Sequence, residues 1–208
     1  MNKLQAIGLS LFLLIVLLVS LKEEPQNLET SPLSKSSKIL AFGDSLTYGK
    51  GAPSQSYPTQ LQQLINIEVI NAGQSGEPSS RGLKRLPHLL KEHKPDLVIL
   101  CHGGNDLLQK KSKDTLRTNL VKMIRLSKQS GAKVLLVGVP NFKLVGFSTE
   151  GLYEEIAEQE KIMYEGDILS KIENDSSLKS DRIHPNAKGY SLMAESFIEV
   201  LRENKLIN

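Results

Sequence analysis

Ile39-Leu40-Ala41-Phe42-Gly43-Asp44-Ser45-Leu46-Thr47 is the stretch whose reading decides the fold. It opens as an apolar run short enough for a buried strand and halts at Gly43-Asp44-Ser45. Open α/β sheets place their working groups just past the carboxyl ends of such strands. Gly43 allows a sharp turn, and Asp44 and Ser45 suit the first positions of a following helix or helical turn. Backbone N–H groups at that point would face outward, ready to meet negative charge. By itself the tripeptide is ordinary turn chemistry.

The chain on either side has the alternation that such a sheet needs. Tyr48 to Tyr57, rich in Gly, Pro and Ser, is a loop beside the Ser45 turn, and Leu61, Leu64 and Ile65 then fall at helical spacing. Glu68–Asn71 is a second strand. Leu83, Leu86, Leu89 and Leu90 make the apolar stripe of a helix that ends near His93, before Pro95. Pro87 falls inside this stripe, where a proline can kink a helix. Asp96–Cys101 is nearly all apolar, as a third strand buried on both faces would be. Asp114 is the expected N-cap of a helix with Leu116, Leu120, Met123, Ile124 and Ser127 on one side and Gly131 as its stop. Val134–Val139 is a fourth strand stopped by Pro140, and 141–149 is read as a loop. A helix over Glu150–Glu160 and a short fifth strand over Lys161–Tyr164 follow. Tyr190, Met193, Ala194, Phe197, Ile198 and Leu201 define the last helix. Strands alternating with helices imply a doubly wound α/β domain with a mostly parallel sheet and right-handed crossovers.

Two distant stretches give Ser45 a chemical context. Asp181-Arg182-Ile183-His184-Pro185 sets a carboxylate three residues before a histidine, and Pro185 biases His184 away from helical geometry. His102-Gly103-Gly104-Asn105-Asp106 follows the third strand and brings a side-chain amide to a strand end. A serine nucleophile, a histidine base with an acid to orient it, and an amide donor are what acyl transfer requires. Asp44 is too close to Ser45 in sequence to serve as the acid and is assigned to the turn; Asp106 is assigned to bracing the loop that holds Asn105. His88 and His93, among Lys91, Glu92 and Lys94, belong on a solvated face. His102 has no nearby acid in sequence and is at most a pocket-lining residue.

These blocks resemble the GDSL, or SGNH, hydrolase family. The likeness rests on Gly43-Asp44-Ser45-Leu46, Asn71-Ala72-Gly73-Gln74-Ser75-Gly76, Gly104-Asn105-Asp106 and Asp181-x-x-His184, in the family's order from about Lys38 to the last helix. The resemblance implies a single-domain, three-layer α/β/α fold on a five-stranded flavodoxin-like sheet. It implies a triad of Ser45, Asp181 and His184, and an oxyanion hole from the backbone N–H of Ser45, that of Gly76 (with Gly73 a nearby competitor) and the amide of Asn105. The stretch from Leu83 to His93 and then Gly103 to Asp106 is most similar to secreted bacterial thioesterases, arylesterases and lysophospholipases. His102 departs from the apolar residue frequent there. No cofactor is implied.

Composition narrows the classes further. With 208 residues, 39% of them hydrophobic, the chain supports one sizeable core. A net charge of +3, scattered basic residues, no Trp and 5% aromatics disfavour nucleic-acid binding. The single Cys101 excludes an intramolecular disulfide and a cysteine-based metal cluster, and no His or carboxylate spacing suggests a metal. Lys3 and the apolar run Ala6–Leu21, ended by Lys22-Glu23-Glu24, have the layout of an export signal without a small-residue cleavage site. Residues 1–24 are therefore read as a signal or uncleaved inner-membrane anchor, 25–37 as a linker and 38–208 as the hydrolase domain. The domain is expected outside the cytoplasm, periplasmic if tethered; a cleaved signal would release it as a soluble secreted protein. Phe142, Leu144, Val145 and Phe147 are dense for a loop, and Phe142, Leu144 and Phe147 are candidates to line an acyl groove. The expected activity is ester or thioester hydrolysis on medium-chain acyl or lysophospholipid-like substrates. A glycan O-acetyl esterase and a non-catalytic binding module on a hydrolase fold are the competing readings.

Overall fold

The computed structural model describes residues 31–142 and 147–208; the apolar segment 6–21 and most of the tether lie outside the described residues. Strands are β1 (Lys38–Gly43), β2 (Glu68–Gly73), β3 (Leu97–Cys101), β4 (Lys133–Val137), β5 (Pro140–Phe142), β6 (Phe147–Thr149) and β7 (Met163–Glu165). Helices are α1 (Ser45–Tyr48), α2 (Tyr57–Ile65), α3 (Ser79–His93), α4 (Gly104–Leu108), α5 (Lys113–Gln129), α6 (Leu152–Glu160), α7 (Ile168–Glu173) and α8 (Ala187–Glu203). Among the described residues no helix is long and apolar enough to cross a membrane.

Five strands form one parallel sheet in the order β2-β1-β3-β4-β7, the flavodoxin-like arrangement. The chain leaves β1 for β2 on one side and later returns to β3 on the other. This order reversal opens a crevice at the carboxyl end of β1, beside Ser45. Every residue of β3 is buried, and Ile39 to Phe42 of β1 are fully so, because helices cover both faces. On one face α2 packs against α8, where the Tyr57 and Phe197 rings meet edge to face at 5.0 Å. On the other, α3 packs against α5 and α5 against α6. The expected stripe of α8 is its buried face: Tyr190, Met193, Ala194, Phe197 and Leu201 have no exposed surface.

Four local expectations change. The α5 cap is Ser112, whose Oγ accepts from the Thr115 N–H at 3.3 Å; Asp114 sits in the first turn, where a carboxylate suits the helix dipole. The loop expected over 141–149 is a β-hairpin, with Pro140 opposite Thr149 and Phe142 opposite Phe147. Pro140 lies beyond the end of β4 and is tolerated in a two-stranded edge pair. Residues 32–37, read as linker, lie within the compact unit Pro32–Asn208, where the Leu33 N–H donates to the Leu206 carbonyl at 2.7 Å. Gly43 is required less for turning than for lack of room: a Cβ there would stand 2.1 Å from the Cys101 carbonyl oxygen. The helix α3 runs through Pro87 without ending.

Candidate active site

Strand β1 delivers Gly43-Asp44-Ser45 into the crevice, and the short α1 begins at once. Asp44 caps it, Oδ1 accepting from the Leu46 N–H at 3.1 Å. Ser45 is half-buried at the first helical position. From the far end of the chain, residues 179–185 bring His184 over it. Lys179 pairs with Pro185 across an isolated antiparallel bridge, and the Ser180 N–H donates to the His184 carbonyl at 2.8 Å. Asn186 then caps α8 through the N–H groups of Lys188 and Gly189.

The result is a continuous relay. His184 Nδ1 lies 2.8 Å from Asp181 Oδ2 and 3.0 Å from Oδ1, while its Nε2 lies 3.0 Å from Ser45 Oγ. A carboxylate only accepts, so Nδ1 carries the proton and Nε2 is left to accept from the serine hydroxyl. Asp181 Oδ1 also accepts from the N–H groups of Ile183 and His184, both at 2.8 Å. Desolvation works to raise the Asp181 carboxyl, but these two backbone donors and the His184 ring outweigh it and hold the group well below the usual carboxylate range.

The other expected donors converge on the same place. Ser45, Gly76, Asn105 and His184 all line one cleft of about 250 Å³. Gly76 lies in a turn closed by the Glu77 N–H on the Gln74 carbonyl at 3.2 Å. Its φ of +74° favours glycine, although a Cβ there would meet nothing within 4 Å. Asn105 Nδ2 donates to Asp44 Oδ2 at 3.0 Å and to the Glu77 carbonyl at 3.2 Å. Asp44 is thus more than a turn residue: it holds the amide of Asn105, and burial pushes its own carboxyl up. Asp106 braces the same loop, its two oxygens accepting from the Ser79 N–H and hydroxyl at 2.7 and 2.8 Å.

The sequence reading missed what lies behind the cleft. His102 does not line the pocket; it is wholly buried, with Nδ1 accepting from the Gly103 N–H at 3.1 Å and Nε2 within 3.3 Å of Glu77 Oε2. Its acid lies far away in sequence and adjacent in space. Arg85 completes the cluster, donating through Nη2 to Glu77 Oε2 at 2.6 Å and to the Ala72 carbonyl at 3.0 Å, and stacking 4.5 Å above the Phe42 ring. Desolvation would raise Glu77, but hydrogen bonds from His102 and Arg85 prevail and hold it down to about 2. This pinned carboxylate belongs to the residue whose carbonyl receives Asn105. Tyr153 fixes the neighbouring backbone, its hydroxyl donating to the His102 carbonyl at 2.9 Å. His88 is exposed beside Glu92, as expected of a solvated helix face.

The apolar wall of the cleft comes from Leu46, Leu108, Val139, Pro140, Leu169 and Ile183, and Lys50 and Glu173 also line it. Of the candidate groove residues, Leu144 and Val145 lie outside the described residues, and Phe142 and Phe147 are described through their backbone pairing. A larger groove of about 540 Å³, lined by Leu33, Leu64, Ile67, Ile198 and Arg202 among others, holds none of the relay residues.

Comparison with known proteins identifies the family. Residues 41–192 match the GDSL-like Lipase/Acylhydrolase family. The chain is 36% identical over 160 residues to esterase TesA of Pseudomonas aeruginosa, covering 71% of this chain and 79% of that one. It is 33% identical over 171 residues to an arylesterase of Vibrio mimicus, covering 77% and 86%. The crystal structure of the psychrotrophic esterase EstA from Pseudoalteromonas sp., inhibited by monoethylphosphonate, superposes with a TM-score of 0.72 at 25% identity, covering 82% of this chain and 99% of that one. The chain belongs to the GDSL-like lipase/acylhydrolase family and is an ester-hydrolysing enzyme with an SGNH-type α/β fold.

Proposed function

We propose that the protein cleaves medium-chain acyl or lysophospholipid-like esters through an acyl-enzyme, with Ser45 as nucleophile, His184 as base and then acid, and Asp181 as the orienting carboxylate. The observation that carries this is the relay from Asp181 through His184 to Ser45, at 2.8 and 3.0 Å, opening into an apolar-walled cleft. As Ser45 Oγ bonds to the ester carbonyl carbon, its proton passes to His184 Nε2, and Asp181 stabilises the imidazolium. Negative charge gathers on the carbonyl oxygen. The N–H groups of Ser45 and Gly76 and the amide of Asn105 receive it. Both hydrogens of Asn105 Nδ2 have partners in the structure, and the longer bond, to the Glu77 carbonyl, is the one exchanged for the oxyanion. When the C–O bond to the alcohol breaks, His184 returns the proton to the leaving oxygen. Water then repeats the sequence on the acyl-enzyme.

Six apolar side chains along the cleft support the acyl preference. Each buried CH₂ is worth about 0.8 kcal/mol, so four more carbons than acetate are expected to raise kcat/KM on the order of 10²-fold. A p-nitrophenyl ester series from acetate to palmitate, beside a lysophospholipid and an acetylated glycan, reads this directly. A profile that is flat or highest at acetate would remove the acyl-groove reading and leave the O-deacetylase. Stoichiometric labelling by a fluorophosphonate separates the enzyme from a binding module, which would take no label.

Lys3 and the apolar run Ala6–Leu21 support export with the N-terminus retained as an inner-membrane anchor. The full-length protein is expected in the membrane fraction, with residues 32–208 alone soluble and active. A mature N-terminus near Leu21 would refute the anchor and leave export standing.

A further inference from the structure

We propose that Glu173 and Lys179 form a positioning pair that sets the turn carrying Asp181 and His184, an inference that rests on the reading of those two residues as acid and base. Neither side chain belongs to the relay. Lys179 Nζ donates to Glu173 Oε2 at 3.1 Å and to the Glu173 carbonyl at 3.0 Å, and lies 3.5 Å from the Arg182 carbonyl. One ammonium therefore ties the end of α7 to both sides of the turn: its own backbone at the base, and Arg182 between Asp181 and His184. Its side chain is 14% exposed and that of Glu173 7%, so this is a largely desolvated pair rather than a solvated surface contact.

The rest of the turn is held where this pair leaves off. The Asn186 amide donates to the Ser177 and Lys179 carbonyls, and the Ser180 hydroxyl donates to the His184 carbonyl. Gly51 is packed so close to the turn that a Cβ would stand 2.1 Å from Ser180 Oγ and 2.8 Å from the Pro185 carbonyl oxygen. The turn is thus closely packed against the Gly51 backbone and tied to α7 by an ion pair. Without its partner in Glu173, the strap on Arg182 is free to lengthen, and His184 Nε2 can drift from Ser45. Displacements of this kind at a reacting centre lower kcat while leaving substrate binding largely alone.

Glu173 also stands in the wall of the reaction cleft, so its charge acts where the chemistry occurs. The charged and titratable groups around it are Lys179, His184 and Asp181 on the turn, with Lys50 and Asp44 lining the same cleft. Desolvation raises its carboxyl above the ordinary range, against the pull of Lys179 and His184 and with a push from Asp181. The ionised pair is therefore lost at a higher pH than a solvated glutamate would allow. On the acid side, protonation of Glu173 therefore lowers the rate on its own account.

The test is steady-state kinetics of the full-length protein on p-nitrophenyl butyrate, with thermal melts of each variant. Glu173→Gln keeps the shape of the side chain, and Lys179→Met removes the ammonium while keeping the rest of an unbranched chain. Each is expected to lower kcat about tenfold with KM within about twofold. Lys179→Arg should restore most of the rate. The double variant should lose no more than either single one, and the acid limb of kcat/KM in Glu173→Gln should become shallower than in the wild type. Values of kcat within twofold of wild type in the single variants, whatever the melting temperatures, would overturn the inference, as would losses that multiply in the double variant. If Lys179→Met does not fold, Glu173→Gln decides alone. Fluorophosphonate labelling of Ser45 in the wild type reports separately on the relay itself, so a failure there is not confused with a failure of the pair.

Discussion

Ser45→Ala removes ester hydrolysis, lowering kcat on the order of 10⁴-fold or more, and leaves the protein folded. The expectation follows from the position of the hydroxyl. Ser45 is half-buried at the start of α1, and its Oγ meets His184 Nε2 across the open cleft. The helix is capped by Asp44 and the turn is fixed by the close approach of Gly43 to β3, so neither depends on the hydroxyl. The purified variant should melt within a few degrees of the wild type by circular dichroism and take no fluorophosphonate label. Retention of more than a few per cent of the wild-type kcat would show that another group attacks the ester.

Asp181→Asn is the second large effect, on the order of 10⁴-fold in kcat by analogy with other triads. The two oxygens of Asp181 have different work. Oδ1 accepts two backbone N–H groups, and Oδ2 makes the shorter contact with His184 Nδ1. An asparagine keeps its oxygen on the backbone donors and must turn its amide toward Nδ1. That selects the imidazole tautomer with the proton on Nε2, which cannot take a proton from Ser45. The pH profile should therefore lose amplitude rather than shift. Asp44→Asn acts through a different atom: it confronts the Asn105 amide with another amide, so its loss should be near that of one oxyanion donor, about 10²-fold. A larger loss at position 44 than at 181 would reassign the acid.

What could be read from the chain, and what could not, follows the distance over which each feature is built. The relay was legible because a carboxylate and a histidine sit three residues apart in one turn, and because Gly-Asp-Ser at the end of a strand, ordinary turn chemistry alone, gains a chemical context beside them. Helix α8 was legible from its long apolar stripe. The Glu77–Arg85–His102 cluster was not, since it joins the turn before α3, the middle of that helix and the end of β3; no local pattern relates them. His102 was misplaced for that reason. Ser112 and Asp114 are both good caps, and only backbone geometry chooses between them. The hairpin at 140–149 was hidden by Pro140, which stops a central strand and is tolerated in a short edge pair. The necessity of Gly43 was legible, but its cause, a carbonyl of β3 in the space of a side chain, was not.

The direction of β1 separates two parts of the domain. The strand begins at Lys38 and reaches the cleft six residues later, so its first residue and the serine turn lie at opposite ends of the sheet, about 20 Å apart. A change at the entering end reaches Ser45 only through the buried length of the strand. That insulation leaves the amino-terminal rim of the sheet free to vary in sequence while the cleft at its other rim stays as it is.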